Sequence, residues 1–200
     1  MKKSITGIAA VVLFALTAAA QDVPEMEAFL GYTYLRANSA TNVPAFSANG
    51  GGGQFVYNFN RWLGGVADLG AVHNGNIGGA HLDTTLINYL VGPRVSLRYS
   101  RLTPYFHTLF GGVYAASSTK IFVVNPADAQ TVAARLTTSQ NGFGMAIGGG
   151  LDLKITKHIS FRPIGLDYFM TRLQNLRSQE DHSQNNLRYT AGVNFTFGAQ

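Results

Sequence analysis

Between Thr85 and Ser100 the chain sorts its side chains by parity, and this restricts the fold more than any other feature of the sequence. Thr85, Ile87, Tyr89, Val91, Pro93, Val95, Leu97 and Tyr99 fall on one side of a period-two ladder. Asn88, Gly92, Arg94, Ser96, Arg98 and Ser100 fall on the other, with Leu86 and Leu90 as the apolar exceptions. Neighbouring side chains reach opposite faces in a strand and not in a helix. The run is far longer than the usual strand of about five or six residues, and a tilted strand crosses a bilayer in about 9–11. The alternation returns near the C-terminus, with Leu187, Tyr189, Ala191, Val193, Phe195 and Phe197 against Asn186, Arg188, Thr190, Gly192, Asn194 and Thr196. Long alternating strands with one apolar face predict the wall of a membrane β-barrel.

The first twenty residues stand apart. Lys2 and Lys3 precede an apolar stretch from Ile5 to Leu16, which ends in Ala18-Ala19-Ala20 before Gln21. A basic start, a short apolar run and small residues at the end read as a cleaved secretory signal peptide over residues 1–20. Residues 21–200 then form one barrel domain. The rest of the chain has no apolar run long enough for a membrane helix. It also has no cysteine, which rules out disulfides and Cys-based metal sites.

Charge separates the function classes further. Only 12% of residues are charged, against about 25% in ordinary soluble domains. That is too few to cover the outside of a soluble β-protein comfortably. The formal charge of +5 includes Lys2 and Lys3, and the remaining basic residues are scattered. No basic run points to nucleic acid.

Eight strand-length segments alternate with long and short connections. The first covers Met26–Arg36, the second Gly51–Phe59, the third Trp62–His73, and the fourth begins near Asp83. The fifth is Pro104–Ser117, the sixth Gln140–Lys154, the seventh Ile159–Arg172 and the eighth Asn185–Gly198. Long loops are expected at 37–49, 74–83, 118–138 and 173–184, with short turns at 59–62, 100–103 and 155–158. This asymmetry suits an all-β, eight-stranded antiparallel up-and-down transmembrane barrel, with short periplasmic turns and longer extracellular loops. Closure also leaves no unpaired edge in lipid, where nothing else can bond the backbone.

Parity predicts the two faces. Ile87, Val91, Val95, Ile147, Leu151, Val193 and Phe195 are expected to face lipid. Asp68, Arg94, Arg98, Asp152, Lys154, Arg162 and Arg188 are expected in the lumen as a paired network, since buried charges persist only when paired. Lumen glycines are expected to make room for the arginines. The facing of the first, fifth and seventh strands stays open, because Tyr105, Leu109 and Val113 compete with Phe106, Phe110 and Tyr114. In the seventh, Phe161 and Leu166 differ in parity, which predicts a bulge near Pro163-Ile164-Gly165. Tyr32, Tyr34, Tyr57, Phe59, Trp62, Tyr99, Tyr105, Tyr168 and Phe197 read as interfacial girdles.

Other chemistry is thin. His73, His81 and Asp83 flank one loop and Glu180-Asp181-His182 lie in another, but neither group has a metal-ligand spacing. His107 and His158 read as structural. No Gly-x-Ser-x-Gly elbow is present, and Gly50 to Gly53 lack the Lys-Ser/Thr of a phosphate loop. The expectation is therefore no enzyme, no cofactor and no metal.

Four short motifs carry a family resemblance. They are Gly31-Tyr32-Thr33-Tyr34, Asn58-Phe59-Asn60-Arg61-Trp62, Arg101-Leu102-Thr103-Pro104-Tyr105, and Asn186-Leu187-Arg188-Tyr189 through to Phe197. With these the chain resembles the small eight-stranded outer-membrane barrels of the OmpA transmembrane domain and OmpX-like family. The resemblance implies an outer-membrane location, a structural or surface-interaction role, and contact with membrane lipid, lipopolysaccharide and the barrel assembly machinery. A loop ligand is not specified. Two other readings remain open from sequence, a small pore and a soluble periplasmic lipocalin-like barrel with the apolar face turned inward.

Overall fold

The computed structural model describes residues 23–39, 45–77, 82–124, 131–174 and 181–198. The expected signal peptide, residues 1–20, lies outside them. Eight strands follow in chain order: β1 (Met26–Ala37), β2 (Phe46–Asn58), β3 (Leu63–Ile77), β4 (Leu82–Ser96), β5 (Leu102–Val124), β6 (Thr131–Lys154), β7 (Ile159–Gln174) and β8 (Asp181–Phe197). Each pairs antiparallel with its chain neighbour, and β8 pairs back onto β1 to close the barrel. The closing ladder runs from Met26↔Phe197 to Ala37↔Asn186.

The short turns are fixed by side-chain caps. Asn60 Oδ1 accepts the backbone N–H groups of Trp62 (2.8 Å) and Leu63 (2.9 Å). Thr156 Oγ1 does the same for His158 (3.3 Å) and Ile159 (3.1 Å). Asn and Thr favour turns because their short polar side chains satisfy these nearby donors.

The strands at the opposite end run further than the sequence reading allowed. Much of the expected loop 118–138 is strand, with β5 and β6 paired from Ser118↔Thr137 out to Val124↔Thr131. Phe46–Gly50 belongs to β2 and Asp181–Gln184 to β8, so the expected loops 37–49 and 173–184 are shorter too. Strand pairing needs no apolar face once a hairpin leaves the membrane, so polar composition did not mark its end.

The expected bulge is present. The β7–β8 register shifts between Arg162 and Gly165, and the β6–β7 register between Leu151 and Leu153. Pro163 has no N–H for the ladder. The shift lets Arg162 and Asp167 both point inward although their numbers differ in parity.

Outward faces form an apolar belt. Leu30, Leu69 and Val91 are each 63% exposed, and Phe55, Phe106, Phe110, Phe143 and Leu187 are also exposed. Tyr57, Phe59, Trp62, Tyr99 and Phe197 sit toward the short-turn end. Tyr32, Tyr89 and Tyr168 sit toward the other end, where the Tyr168 hydroxyl donates to Asn185 Oδ1 at 2.7 Å. Tyr99 and Tyr89 are ten residues apart on one extended segment. At about 3.3 Å per residue and a tilt of about 40° they span roughly 25 Å, the height of an outer-membrane apolar band.

Candidate functional site: the charged lumen

β1, β5 and β7, whose facing the sequence left open, bring the decisive groups inside. Their inward positions are Glu27, Phe29, Thr33 and Leu35 on β1, Tyr105, His107, Leu109 and Val113 on β5, and Arg162, Asp167, Phe169 and Thr171 on β7. All are buried.

These groups complete two sets of ion pairs in the lumen, joined into one polar chain by hydrogen bonds through the neutral Gln54. Arg98 Nη2 makes a short contact with Glu27 Oε1, and Arg94 Nη2 lies 3.6 Å from the other Glu27 oxygen. Arg94 Nη2 also donates to Asp152 Oδ2 at 3.0 Å. Arg162 grips the same carboxylate through Nε (2.7 Å) and Nη2 (3.1 Å), and its Nη1 donates to Gln54 Oε1 (2.8 Å). Gln54 Nε2 donates to Asp68 Oδ2 at 2.8 Å, and Asp68 Oδ1 accepts from Arg188 Nη1 at 2.9 Å. Arg188 continues to Asp167 (Nε to Oδ2, 2.9 Å), whose Oδ1 lies 2.8 Å from His107 Nε2. Four arginines thus meet four carboxylates, a balance that a low-dielectric interior requires. Two-point Arg–carboxylate contacts such as Arg162–Asp152 fix direction as well as charge.

Aromatic rings hold the guanidinium planes. The Tyr105 ring centroid lies 4.0 Å from Arg94 Cζ and 4.4 Å from Arg162 Cζ, and the Phe29 ring lies 4.0 Å from Arg162 Cζ. Such contacts are worth about 2 kcal/mol when desolvated. Tyr105 therefore leaves the girdle to which the sequence reading assigned it. Its place inside depends on glycine, since a Cβ on Gly150 would stand 2.7 Å from the Tyr105 hydroxyl. A Cβ on Gly148 would overlap Asp167 Oδ1. Other lumen glycines make room for Asn88 (Gly70), Val113 (Gly144) and Thr190 (Gly165), and an arginine is met only by Gly165, with Arg162 Cδ at 3.5 Å, so the expected space for arginines is a small part of their role.

Of the residues expected in this network, Asp68, Arg94, Arg98, Asp152, Arg162 and Arg188 take part. Lys154 does not; it is exposed at the end of β6, at the rim of the lumen, one inward position beyond Asp152. The reading missed Glu27, Gln54, His107 and Asp167. Asp167 was legible only once the bulge was placed, and Glu27 and His107 only once β1 and β5 were faced. Ile87, Val91 and Val95 are exposed on the outer face, while Ile147, Leu151, Val193 and Phe195 are half-buried there, opposite buried Ala146, Asp152 and Asn194.

Above the ion pairs an apolar cluster fills much of the lumen, with the buried polar pair Thr171 and Asn186 beyond Asp167 and Arg188. Leu35, Ala48, Val72, Leu86, Leu90, Leu109, Val113, Ala146 and Phe169 form one buried cluster. Below them, at the short-turn end, lies an open cavity of about 880 Å³. Arg98 sits in its wall just beyond β4, where burial lowers its pKa and the Glu27 carboxylate opposes that fall. It stays a cation, because arginine starts so far above neutrality.

Among the described residues, the histidines outside the lumen do not gather into a ligand set. His73 Nε2 lies 3.2 Å from Asp83 Oδ1 at the long-loop rim. His81 and Glu180 lie outside the described residues, as do the side chains of Asp181 and His182. Among the described residues there is no group of three or more metal-ligating side chains.

The sequence profile of the outer membrane protein beta-barrel domain matches residues 6–197. The chain belongs to that family. Among solved structures, Neisserial surface protein A matches with a TM-score of 0.60 and 11% identity, covering 86% of this chain and 97% of that one. Ail, the attachment invasion locus protein of Yersinia pestis, gives a TM-score of 0.55 at 16% identity, covering 86% and 99%. The outer membrane protein OprG from Pseudomonas aeruginosa gives 0.51 at 13% identity, covering 90% and 99%. No curated protein matches by sequence. The family and the outward apolar belt agree on an outer-membrane barrel, and the inverted lipocalin-like arrangement is set aside.

Proposed function

We propose that this outer-membrane barrel is a non-conducting wall element with a structural or surface-interaction role. One observation carries the reading: the lumen is crossed by a balanced chain of ion pairs and hydrogen bonds and, above it, by an apolar cluster. An ion entering from either end meets desolvation at the apolar layer and fixed, already neutralised charges below it. In this reading residues 1–20 are cleaved on export, the short turns face the periplasm and the extended β5–β6 hairpin projects outside. The partners are outer-membrane lipid, lipopolysaccharide and the assembly machinery, and the protein performs no catalysis.

The test is single-channel recording of the folded protein in planar bilayers. A flat baseline across a wide voltage range is expected. A persistent open level would overturn the proposal in favour of the small pore.

A further inference from the structure

The short-turn end of the barrel opens into a vestibule of about 880 Å³. That volume falls in the range of about 300–1,000 Å³ that small-molecule sites occupy. Such sites are mostly apolar, whereas this wall presents mainly hydroxyl, amide and charged side chains. The charged ones are already engaged. Glu27 Oε1 accepts from Asn58 Nδ2 at 2.9 Å and faces Arg98, while Oε2 accepts from Asn194 Nδ2 at 2.9 Å and faces Arg94. Asp152 holds Arg94 and Arg162. Arg61 donates to the Arg98 carbonyl oxygen, and Lys157 has a partner as well. Among the described residues of the lining, only the Lys154 ammonium is left without one. A wall whose charges are met internally in this way favours a neutral ligand.

The polar groups that remain form a row. Lys154, Ser160 and Asn194 are neighbours in register on β6, β7 and β8 (Lys154↔Ser160 and Ser160↔Asn194), and all three line the cavity. An ammonium only donates, a hydroxyl donates and accepts, and an amide oxygen only accepts. Asn194 Oδ1 is buried and has no partner, because the amide nitrogen is turned to Glu27. The row therefore reads donor, donor and acceptor, acceptor. A ligand of fixed polarity leaves one end of it unmatched. Sugar hydroxyls each donate and accept, and they carry no charge. Neighbouring strands lie about 4.8 Å apart, close to the length of one pyranose residue. Thr103 adds a hydroxyl from β5, and Val23 and Pro24 add apolar surface for the C–H faces of a sugar ring.

We infer that the short-turn vestibule binds a short neutral oligosaccharide, laid across β6, β7 and β8 with its hydroxyls on Lys154, Ser160 and Asn194. The site is separate from the question of conduction, because the ion-paired floor lies above it. It also holds whichever side of the membrane the short turns face, since a detergent-folded barrel exposes both ends.

The experiment is a saturation-transfer NMR titration of the full folded barrel, in a detergent without sugar headgroups. Cellobiose is the probe in one arm and N,N′-diacetylchitobiose in the other. Lys154→Gln/Ser160→Ala is compared with the parent, and Ser117→Ala/Arg135→Gln, which removes a hydroxyl and a cation at the opposite end, is the control. Lys154 and Ser160 lie outside the ion pairs, so the double variant is expected to fold, with heat-dependent gel mobility as the check. Ser160→Ala alone, the milder change, is carried alongside. The expected result is saturable binding of at least one sugar, weakened about tenfold in the double variant, by a smaller factor in Ser160→Ala and not at all in the control. Binding should stay level as salt shortens screening toward roughly 3 Å, since the ligand is neutral. The arm that responds shows whether acetamido groups are required. No saturation by either sugar at tens of millimolar, equal weakening in the control, or binding that disappears with salt would overturn the inference.

Discussion

Asp152→Asn probes the junction of the lumen. The Asp152 carboxylate receives Arg162 at 2.7 and 3.1 Å and Arg94 at 3.0 Å, with its side chain 3% exposed. The amide keeps the shape and removes the charge, leaving two guanidinium groups short of one shared counter-charge. Removing one partner of a buried pair costs about 3–5 kcal/mol. Two cations share the loss here, which argues for the upper end. Residual contacts pull the other way, since Arg162 keeps Gln54 and two aromatic faces, and Arg94 keeps Ser96 at 3.1 Å and Glu27 at 3.6 Å. The expected loss is about 3–5 kcal/mol, or roughly two to four orders of magnitude in the folding equilibrium. Urea unfolding in lipid vesicles would measure it, read by the fluorescence of Trp62, the single tryptophan on the outer rim. Lys154→Gln is the companion, expected within about 0.5 kcal/mol of the parent. A loss for Asp152→Asn below about 1 kcal/mol would mean that the ion pairs do not form as described.

Further substitutions test separate parts of the account. Val193→Arg places a charge on the lipid face and is expected to cost about 2–4 kcal/mol in the same unfolding assay; near-neutral folding would contradict the outward assignment. Tyr105→Phe keeps the ring between Arg94 and Arg162 and should stay within about 1 kcal/mol, whereas Tyr105→Leu should lose about 2 kcal/mol more; equal effects would remove the ring stacking from the argument. Gly148→Val drives a Cβ into the Leu166 carbonyl oxygen and the Asp167 carboxylate. It is expected to lose at least about 1–3 kcal/mol or to fail to give a heat-modifiable band, and a parent-like band with unchanged stability would refute the packing.

Legibility in the sequence followed how cleanly each strand separates its two faces. β8 puts apolar groups on one parity and polar or small groups on the other, and β4 does so apart from Leu86 and Leu90 toward the long-loop end, so Arg94 and Arg188 were placed without ambiguity. β5 offers large apolar groups on both parities, because the lumen itself contains Tyr105, Leu109 and Val113 while lipid receives Phe106 and Phe110. A face rule based on hydrophobicity fails where the inside is also apolar. In β7 the bulge at Pro163-Ile164 exchanges the parity rule halfway along the strand. Placing the bulge was possible from sequence, but deciding which half faced in was not, and Asp167 was lost with it. Glu27 was missed because it lies near the end of β1 among small and apolar neighbours, where one inward charge leaves no pattern. Its partners come from β4 (Arg94), the β4–β5 turn (Arg98), β8 (Asn194) and the end of β2 (Asn58), and only closure brings them together.

The sidedness of the wall can be measured directly, helped by the absence of native cysteine. Paired variants on adjacent residues, Ile147→Cys with Ala146→Cys and Val91→Cys with Leu90→Cys, would be folded into vesicles, treated with a thiol-reactive fluorophore and exposed to brominated lipid. The account predicts that the Ile147→Cys and Val91→Cys variants label and are quenched by the lipid. The Ala146→Cys and Leu90→Cys variants, whose thiols face the packed lumen, should remain unlabelled. Labelling and lipid quenching at the Ala146 and Leu90 positions in place of their neighbours would contradict an outward apolar wall around a filled, charged interior.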